Sequence, residues 1–272
     1  MWSGFGPISI FTFRFPVSTP AIALVARRHL LFLFVAVVAA SVCARLGFWQ
    51  LSRLSERRAR NALVAARLAL PTVSPAELPR DTGLARFRRV TLRGEYDYAH
   101  EIVLTNRARE GSPGVYIVTP LRIPGSDTAV LVTRGWVYSP DAATVDLARW
   151  REHSDSALTG FVVPFPSGRR GSPTLARRPG ALRWLTQDEV SRRTGYPVAP
   201  YTVVLLGGSR GGGDSVPPRI APPPLDEGPH LNYAFQWFSF GAIALVGAAI
   251  FLSSERRKRG PDERGNDKSS RG

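Results

Sequence analysis

The sequence predicts an α+β membrane protein: two transmembrane helices flanking a β-rich, antiparallel, barrel-like extracytoplasmic domain with a few short helices. Three observations predict it. Long apolar runs lie towards both ends of the 272-residue chain. Short strand-like runs bounded by turn residues fill the middle, and basic residues gather beside the apolar runs.

The second apolar run is the clearer one. Leu231 to Leu252 is 22 residues without a charged side chain. At about 1.5 Å per residue a helix of this length reaches roughly 33 Å, enough for a hydrocarbon core of about 30 Å. Tyr233, Trp237 and Phe238 crowd its start, as aromatics do at a bilayer interface, and Arg256, Arg257, Lys258 and Arg259 follow its end. The first run, 30–51, is charge-free from Leu30 to Ala44 and includes one charge, Arg45. An arginine near a helix end can snorkel to the headgroups. A cleaved signal peptide competes with this reading, but the preceding segment is long and the helical pattern continues past any cleavage point. Helical propensity then runs on to Leu70 and stops at Pro71.

The positive-inside rule orients the chain. The tail 253–272 holds seven basic and four acidic residues, while Asp226 and Glu227 precede the second span. Both termini are therefore expected in the cytoplasm, in a cell (inner) membrane protein. The N-terminal extension 1–29 and the tail 253–272 lie inside, and the domain 52–229 lies outside. Arg53, Arg57, Arg58 and Arg60 on the outer side oppose this, but long loops translocate largely regardless of charge.

Between the spans, strands are expected at Arg88–Tyr96, Glu101–Arg107, Val115–Leu121, Ala129–Tyr138, Ala157–Val163 and Tyr201–Leu206, each rich in Val, Thr, Leu or aromatics. Thr186 with Glu189 forms a capping box for a short helix that Gly195 ends. Ser74-Pro75-Ala76-Glu77 repeats the pattern with proline at the first helical position. Gly207–Pro224 reads as a flexible or extended connector.

The formal net charge of +15 would ordinarily suggest nucleic acid as a partner. Its placement argues otherwise. Residues 1–52 carry +4 and the tail +3, beside the membrane, and no nucleic-acid-binding motif accompanies the +8 between them. The lipid bilayer is the expected partner, and nucleic acid is not. A single cysteine excludes a disulfide framework and a multi-thiolate zinc site. The chain has no GxSxG elbow, no phosphate loop and no HExxH pair, so a non-enzymatic protein is expected, with no catalytic residue and no resident metal.

Three clusters could carry function. On a helix, Trp49, Arg53 and Arg57 share a face; an interfacial tryptophan above snorkelling arginines explains them as well. Arg134-Gly135-Trp136 lies in a strand, where glycine suggests the close approach of another backbone or a ligand, and the arginine a fixed ion pair or anion contact. A β-bulge beside a core tryptophan explains the same residues. His230 opens the second span with Tyr233 one turn on. It is either a haem-iron ligand at the membrane edge or an interfacial histidine bonded to loop backbone.

Taken in order, these motifs resemble the surfeit locus protein 1 family of cytochrome c oxidase assembly factors. Gly47-Phe48-Trp49-Gln50-Leu51-Ser52-Arg53 matches its first signature, with Arg57 where many members have lysine. Gly94, Tyr96 and Asp97, then Asn106-Arg107, Pro113-Gly114 and Thr119-Pro120-Leu121 are similar to its next segments. Val132-Thr133-Arg134-Gly135-Trp136-Val137 resembles its Arg-Gly-Trp strand, and His230-Leu231-Asn232-Tyr233-Ala234 with Trp237-Phe238 its second span. The long N-terminal extension, the arginines after Arg53 and the glycine-proline connector depart from the family pattern.

The resemblance implies an integral membrane assembly factor for the haem-copper oxidase that aids haem a delivery or insertion into subunit I. Its partners would be cytochrome c oxidase subunit I and haem a synthesis or assembly proteins. It makes His230 the candidate haem ligand, and Trp49, Arg53, Arg134, Trp136 and Tyr233 candidate haem or partner contacts. The alternatives are a scaffold of oxidase assembly that binds no haem, and a membrane-anchored sensor or hydrolase.

Overall fold

The computed structural model describes residues 20–152, 157–168, 171–175, 178–207 and 216–259. Most of the N-terminal extension, the middle of the glycine-rich connector, His153 and the tail beyond residue 259 lie outside the described residues. The chain forms two compact units: Met1–Arg57 with Glu227–Gly272, and Arg58–Asp226.

The first unit is a helix pair. Helix α1 spans Pro20–Ala69; its part up to Arg57 belongs to one unit with the last helix, α4 (His230–Arg259), and contacts run from His29 to Gln50. Both are long and apolar enough to cross a membrane, and only 17% and 11% of their most apolar windows are buried. Helices buried in a soluble core would hide most of that surface; Leu30, Phe34, Phe235, Ile243 and Ile250 are instead widely exposed. The pair supports an integral membrane protein.

A seam of small residues brings the two helices together. Ala36, Ala40, Gly47 and the larger Gln50 are buried along α1, and Ala234 and Ala248 are buried on α4, with Gly241 midway. Spacings of three, four and seven keep each set on one face. A Cβ at Gly47 would stand 2.6 Å from the Phe238 ring, and one at Gly241 would stand 3.4 Å from the Cys43 Cβ. Such residues let helix backbones approach in lipid, where burial of apolar surface gives no net drive. Cys43 is thus a seam residue. Contacts of Gln50 with His230, Cys43 with Gly241 and Phe32 with Phe251 fix an antiparallel pairing.

The second unit holds a nine-stranded sheet. After helix α2 (Thr82–Ala85), the strands are β1 (Arg89–Leu92), β2 (Glu95–Tyr96), β3 (Ile102–Leu104), β4 (Gly114–Arg122), β5 (Ala129–Tyr138), β6 (Leu158–Pro164), β7 (Thr174–Leu175) and β8 (Arg178–Leu182). Helix α3 (Gln187–Thr194) and β9 (Val198–Leu205) complete it. The strand order is β1-β6-β9-β5-β4-β3-β8-β7, with β2 beside β4.

Two expectations are corrected here. The sheet is mixed: β3 runs parallel to β8, and β5 parallel to β9. It is also not a closed barrel, because β1 and β7 end the order without pairing to each other. Sequence alternation reports which strands exist and which faces are buried, but not which distant strand lies alongside.

Elsewhere the elements follow the local chemistry. β5 has the predicted bounds, and the first predicted strand divides at Gly94, where a Cβ would meet the Arg122 carbonyl oxygen at 2.2 Å. Thr186 caps α3 and Gly195 ends it at φ 75°, a conformation glycine adopts without penalty. The Ser74–Glu77 capping box forms, but over a 3-10 turn, Pro75–Glu77.

Both faces of the sheet are buried. One carries two apolar clusters, around Val90, Leu121, Val132 and Val203 and around Val115, Ile117 and Val137. The other carries Ile102, Val118, Leu131 and Val198, packed under Leu185 and Val190.

Candidate functional site

In the helix pair, His230 meets Gln50. The imidazole Nδ1 lies 2.9 Å from the Gln50 side-chain oxygen, both residues being shielded by the seam. With that oxygen as acceptor, Nδ1 carries the hydrogen and Nε2 keeps a free lone pair, the arrangement of a metal-ligating imidazole held by a partner. Gly228, at φ 68°, stands beside this edge: a Cβ there would lie 3.7 Å from Nε2. Of the other residues expected near a ligand, Tyr233 is exposed on α4. Trp49 is exposed on α1, and Arg53 pairs with Glu56 at 2.8 Å. Trp49 and Arg53 thus occupy an outward face of α1, one residue round from Gln50. The candidate iron-binding atom and its orienting partner are together; the aromatic-arginine face is separate.

In the sheet unit, Arg134 is the centre of a buried ionic cluster. Across β4 and β5, Ile117 pairs with Gly135 and Val118 with Thr133, so Arg134 is the extra residue of a β-bulge. The bulge turns its side chain inward between the two apolar clusters of one sheet face. The fully buried guanidinium donates from Nη1 to Glu101 at 2.7 Å and from Nε to Glu152 at 3.0 Å. Its plane lies 5.3 and 5.2 Å from the Tyr96 and Tyr98 ring centroids. Thr119 donates to Glu101 at 2.9 Å, and Tyr98 and Glu152 are joined through the Glu152 backbone.

Gly135 explains how the last member arrives. A Cβ there would lie 2.5 Å from the Pro218 carbonyl oxygen and 2.8 Å from Pro217. Without it, the 217–219 segment lies directly on β5, and Trp136 N–H donates to Pro218 at 2.9 Å. Arg219 then reaches Glu152 at 2.6 Å and the Arg134 carbonyl oxygen at 2.6 Å. Of the flexible or extended connector expected, the described part is extended and anchored as a strap. Two guanidinium groups face two carboxylates, with Arg151 a further cation beside Tyr98 that acts on Glu101. Burial pushes the Glu101 carboxyl up from its ordinary value, against the bonds from Thr119 and Arg134. It pushes the Tyr96 phenol up as well.

The two sequence readings of Arg134-Gly135-Trp136 are both realised, as a fixed ion pair on a bulge beneath another stretch of backbone. Trp136 is held similarly: its indole N–H donates to the Arg107 carbonyl oxygen and its ring lies against Gly114. Glu101, Glu152 and Arg219 carried no signal in the sequence, because each sits at a strand edge or in a loop without periodicity. Gln50 lay within a recognised motif, and its partner was the missing information.

A family model for the SURF1 family matches residues 37–242. This chain belongs to the SURF1 family. An uncharacterised SURF1-like protein of Mycobacterium tuberculosis is 30% identical over 229 residues, 80% of each chain. A SURF1-like protein of Rickettsia conorii is 28% identical over 82% of this chain and 91% of its own. The surfeit locus protein 1 of Arabidopsis thaliana is 29% identical over 75% of this chain and 55% of its own. The SURF1 match begins inside α1 and ends inside α4, so it takes in Gln50, His230 and every member of the Arg134 cluster.

Proposed function

We propose that this SURF1 protein is a membrane-anchored assembly factor for the haem-copper cytochrome c oxidase. In this reading it holds haem a transiently through His230 and presents it for insertion into subunit I. The chain spans the cell membrane twice through α1 and α4, with both termini in the cytoplasm and residues 52–229 outside, and it catalyses no covalent step. The observation that carries the haem assignment is the Gln50–His230 pair, which holds the ring and, with Nδ1 as the donor, leaves Nε2 as an acceptor at a glycine-bordered edge.

A carrier needs affinity sufficient to hold cargo and low enough to release it. One neutral imidazole oriented by a neutral amide suits that better than a charged partner, since a carboxylate would make the ligand more basic. Haem a supplies the iron that an imidazole ligates.

The test is a reduced-minus-oxidised spectrum of the full chain purified after co-production with haem a synthesis. Wild type should carry a haem a band, His230→Ala should lose it, and Gln50→Leu should retain haem about 10- to 100-fold less well. Equal haem content in wild type and His230→Ala, with both proteins folded, would overturn the ligand assignment.

A further inference from the structure

On the sheet face that carries α3, the helix covers one end and a groove opens beyond it. α3 and Leu185 lie on the end bearing Ile102, Val118, Leu131 and Val198. Continuing along the same face, register brings Leu104, Tyr116, Thr133, Val204 and Phe161 into the floor of a groove of about 570 Å³. That volume is within the range of small-molecule sites, about 300–1,000 Å³. Phe87, Phe165 and Trp184 wall it, and Ile220–Pro224 of the strap closes one side.

The floor makes no polar demand. The Thr133 and Thr202 hydroxyls bond each other at 2.9 Å, and Thr202 also reaches the Leu131 carbonyl oxygen. The charge is all of one sign: Arg86 and Arg107 line the groove, and among the described residues no carboxylate does. They stand at opposite sides. Phe87 N–H bonds Val162 on β6, placing Arg86 there, whereas Arg107 follows β3. Four strand spacings separate β6 from β3, about 19 Å at about 4.8 Å each.

The two arginines also differ in commitment. Arg107 donates to the Arg183 carbonyl oxygen at 2.9 Å and stacks near Tyr116. The Arg86 backbone is bonded to Thr82 and Arg67, but its guanidinium, 5.0 Å from the Phe87 ring centroid, makes no hydrogen bond or ion pair among the described residues. A long apolar trough with a solvent-facing cation at one end fits a chain with a single anionic head.

We propose that this groove binds a single-chain anionic amphiphile, with its carboxylate or phosphate head on Arg86 and its chain crossing the strands towards Trp184. The groove lies wholly within 58–226 and uses none of the haem residues, so either reading can fail without the other.

The test is photolabelling of the full chain in nanodiscs of neutral phosphatidylcholine. The probes are palmitate and lysophosphatidic acid bearing a terminal diazirine, with the matching fatty alcohol as neutral control. Labelled peptides are mapped by mass spectrometry. Palmitate or lysophosphatidic acid should label the Tyr116 and Trp184 peptides, and the better-labelling probe identifies the head group. Excess unlabelled ligand should compete, and Arg86→Glu should reduce the signal at least tenfold with the fold intact. Label confined to the two long helices, equal label from the alcohol, or no change in Arg86→Glu would overturn the proposal.

Discussion

Removing the Arg134 guanidinium leaves Glu101 and Glu152 inside the domain, with Arg219 bonded to Glu152 and Arg151 acting on Glu101 only through space. Breaking a buried pair in this way costs about 3–5 kcal/mol. Arg134→Ala should therefore lower the urea midpoint of the domain far more than Arg53→Ala, whose half-exposed pair with Glu56 contributes about 0–1 kcal/mol. Side chains also set the acid response, with two signs. The Asp97 carboxyl would be raised by burial, but bonds from Tyr196 and His100 outweigh this and hold it below its ordinary value. Glu189 is lowered in the same way by Arg193 and Arg192. Both stabilise the fold fully above the unfolded value of about 4, and that stabilisation is lost as pH falls through their lower folded values. Glu101 is raised, so the folded state takes its proton first and stability increases slightly as pH falls through that raised value. Stability followed by urea unfolding should rise a little on mild acidification and fall below about pH 4. Glu101→Gln should abolish the rise, and Asp97→Asn should blunt the fall.

The elements show what the sequence could and could not reveal. β5 was legible to the residue because ten consecutive positions combine β-branched and aromatic types between turn formers. β8 was not, because Arg178-Pro179-Gly180 contains two residues that strands avoid; it forms through parallel pairing with β3, some 78 positions upstream by Val103 and Ala181. The site divides likewise. Arg134 and His230 stood out locally, whereas Glu152, Arg219 and Gln50 gain meaning only from the segment that folds onto them. The helix seam offers a direct test at this scale. Built on the backbone, a Cβ at position 241 lies 3.4 Å from that of Cys43, close to the roughly 3.5–4.5 Å of a disulfide. Gly241→Cys should oxidise to an intramolecular bond with Cys43, read by mass spectrometry. Gly247→Cys, with nothing within 4 Å, should not. The strap gives another test: Gly135→Ala should push Pro218 off β5 and destabilise the domain, though less than Glu152→Ala, which also takes a partner from buried Arg134, and the two together should cost less than their sum.

For the molecule as a whole, chain order matters as much as final geometry. Among the described strands β9 is the last in chain order, yet it lies between β6 and β5 and joins the β1-β6 pair to the β5-β4-β3-β8-β7 group. Until Val198–Leu205 emerges, those two half-sheets each display an open edge, and exposed edges recruit other strands. The domain therefore closes late, when nearly all of residues 58–226 has left the ribosome and only the connector and strap of that unit are still to follow. A chain stopped before Val198 should be captured by proteases and holding chaperones, whereas one that includes Leu205 and Arg219 should resist them. Quality control of this protein is thereby concentrated in one short strand, and damage there should reduce its abundance before it alters any ligand.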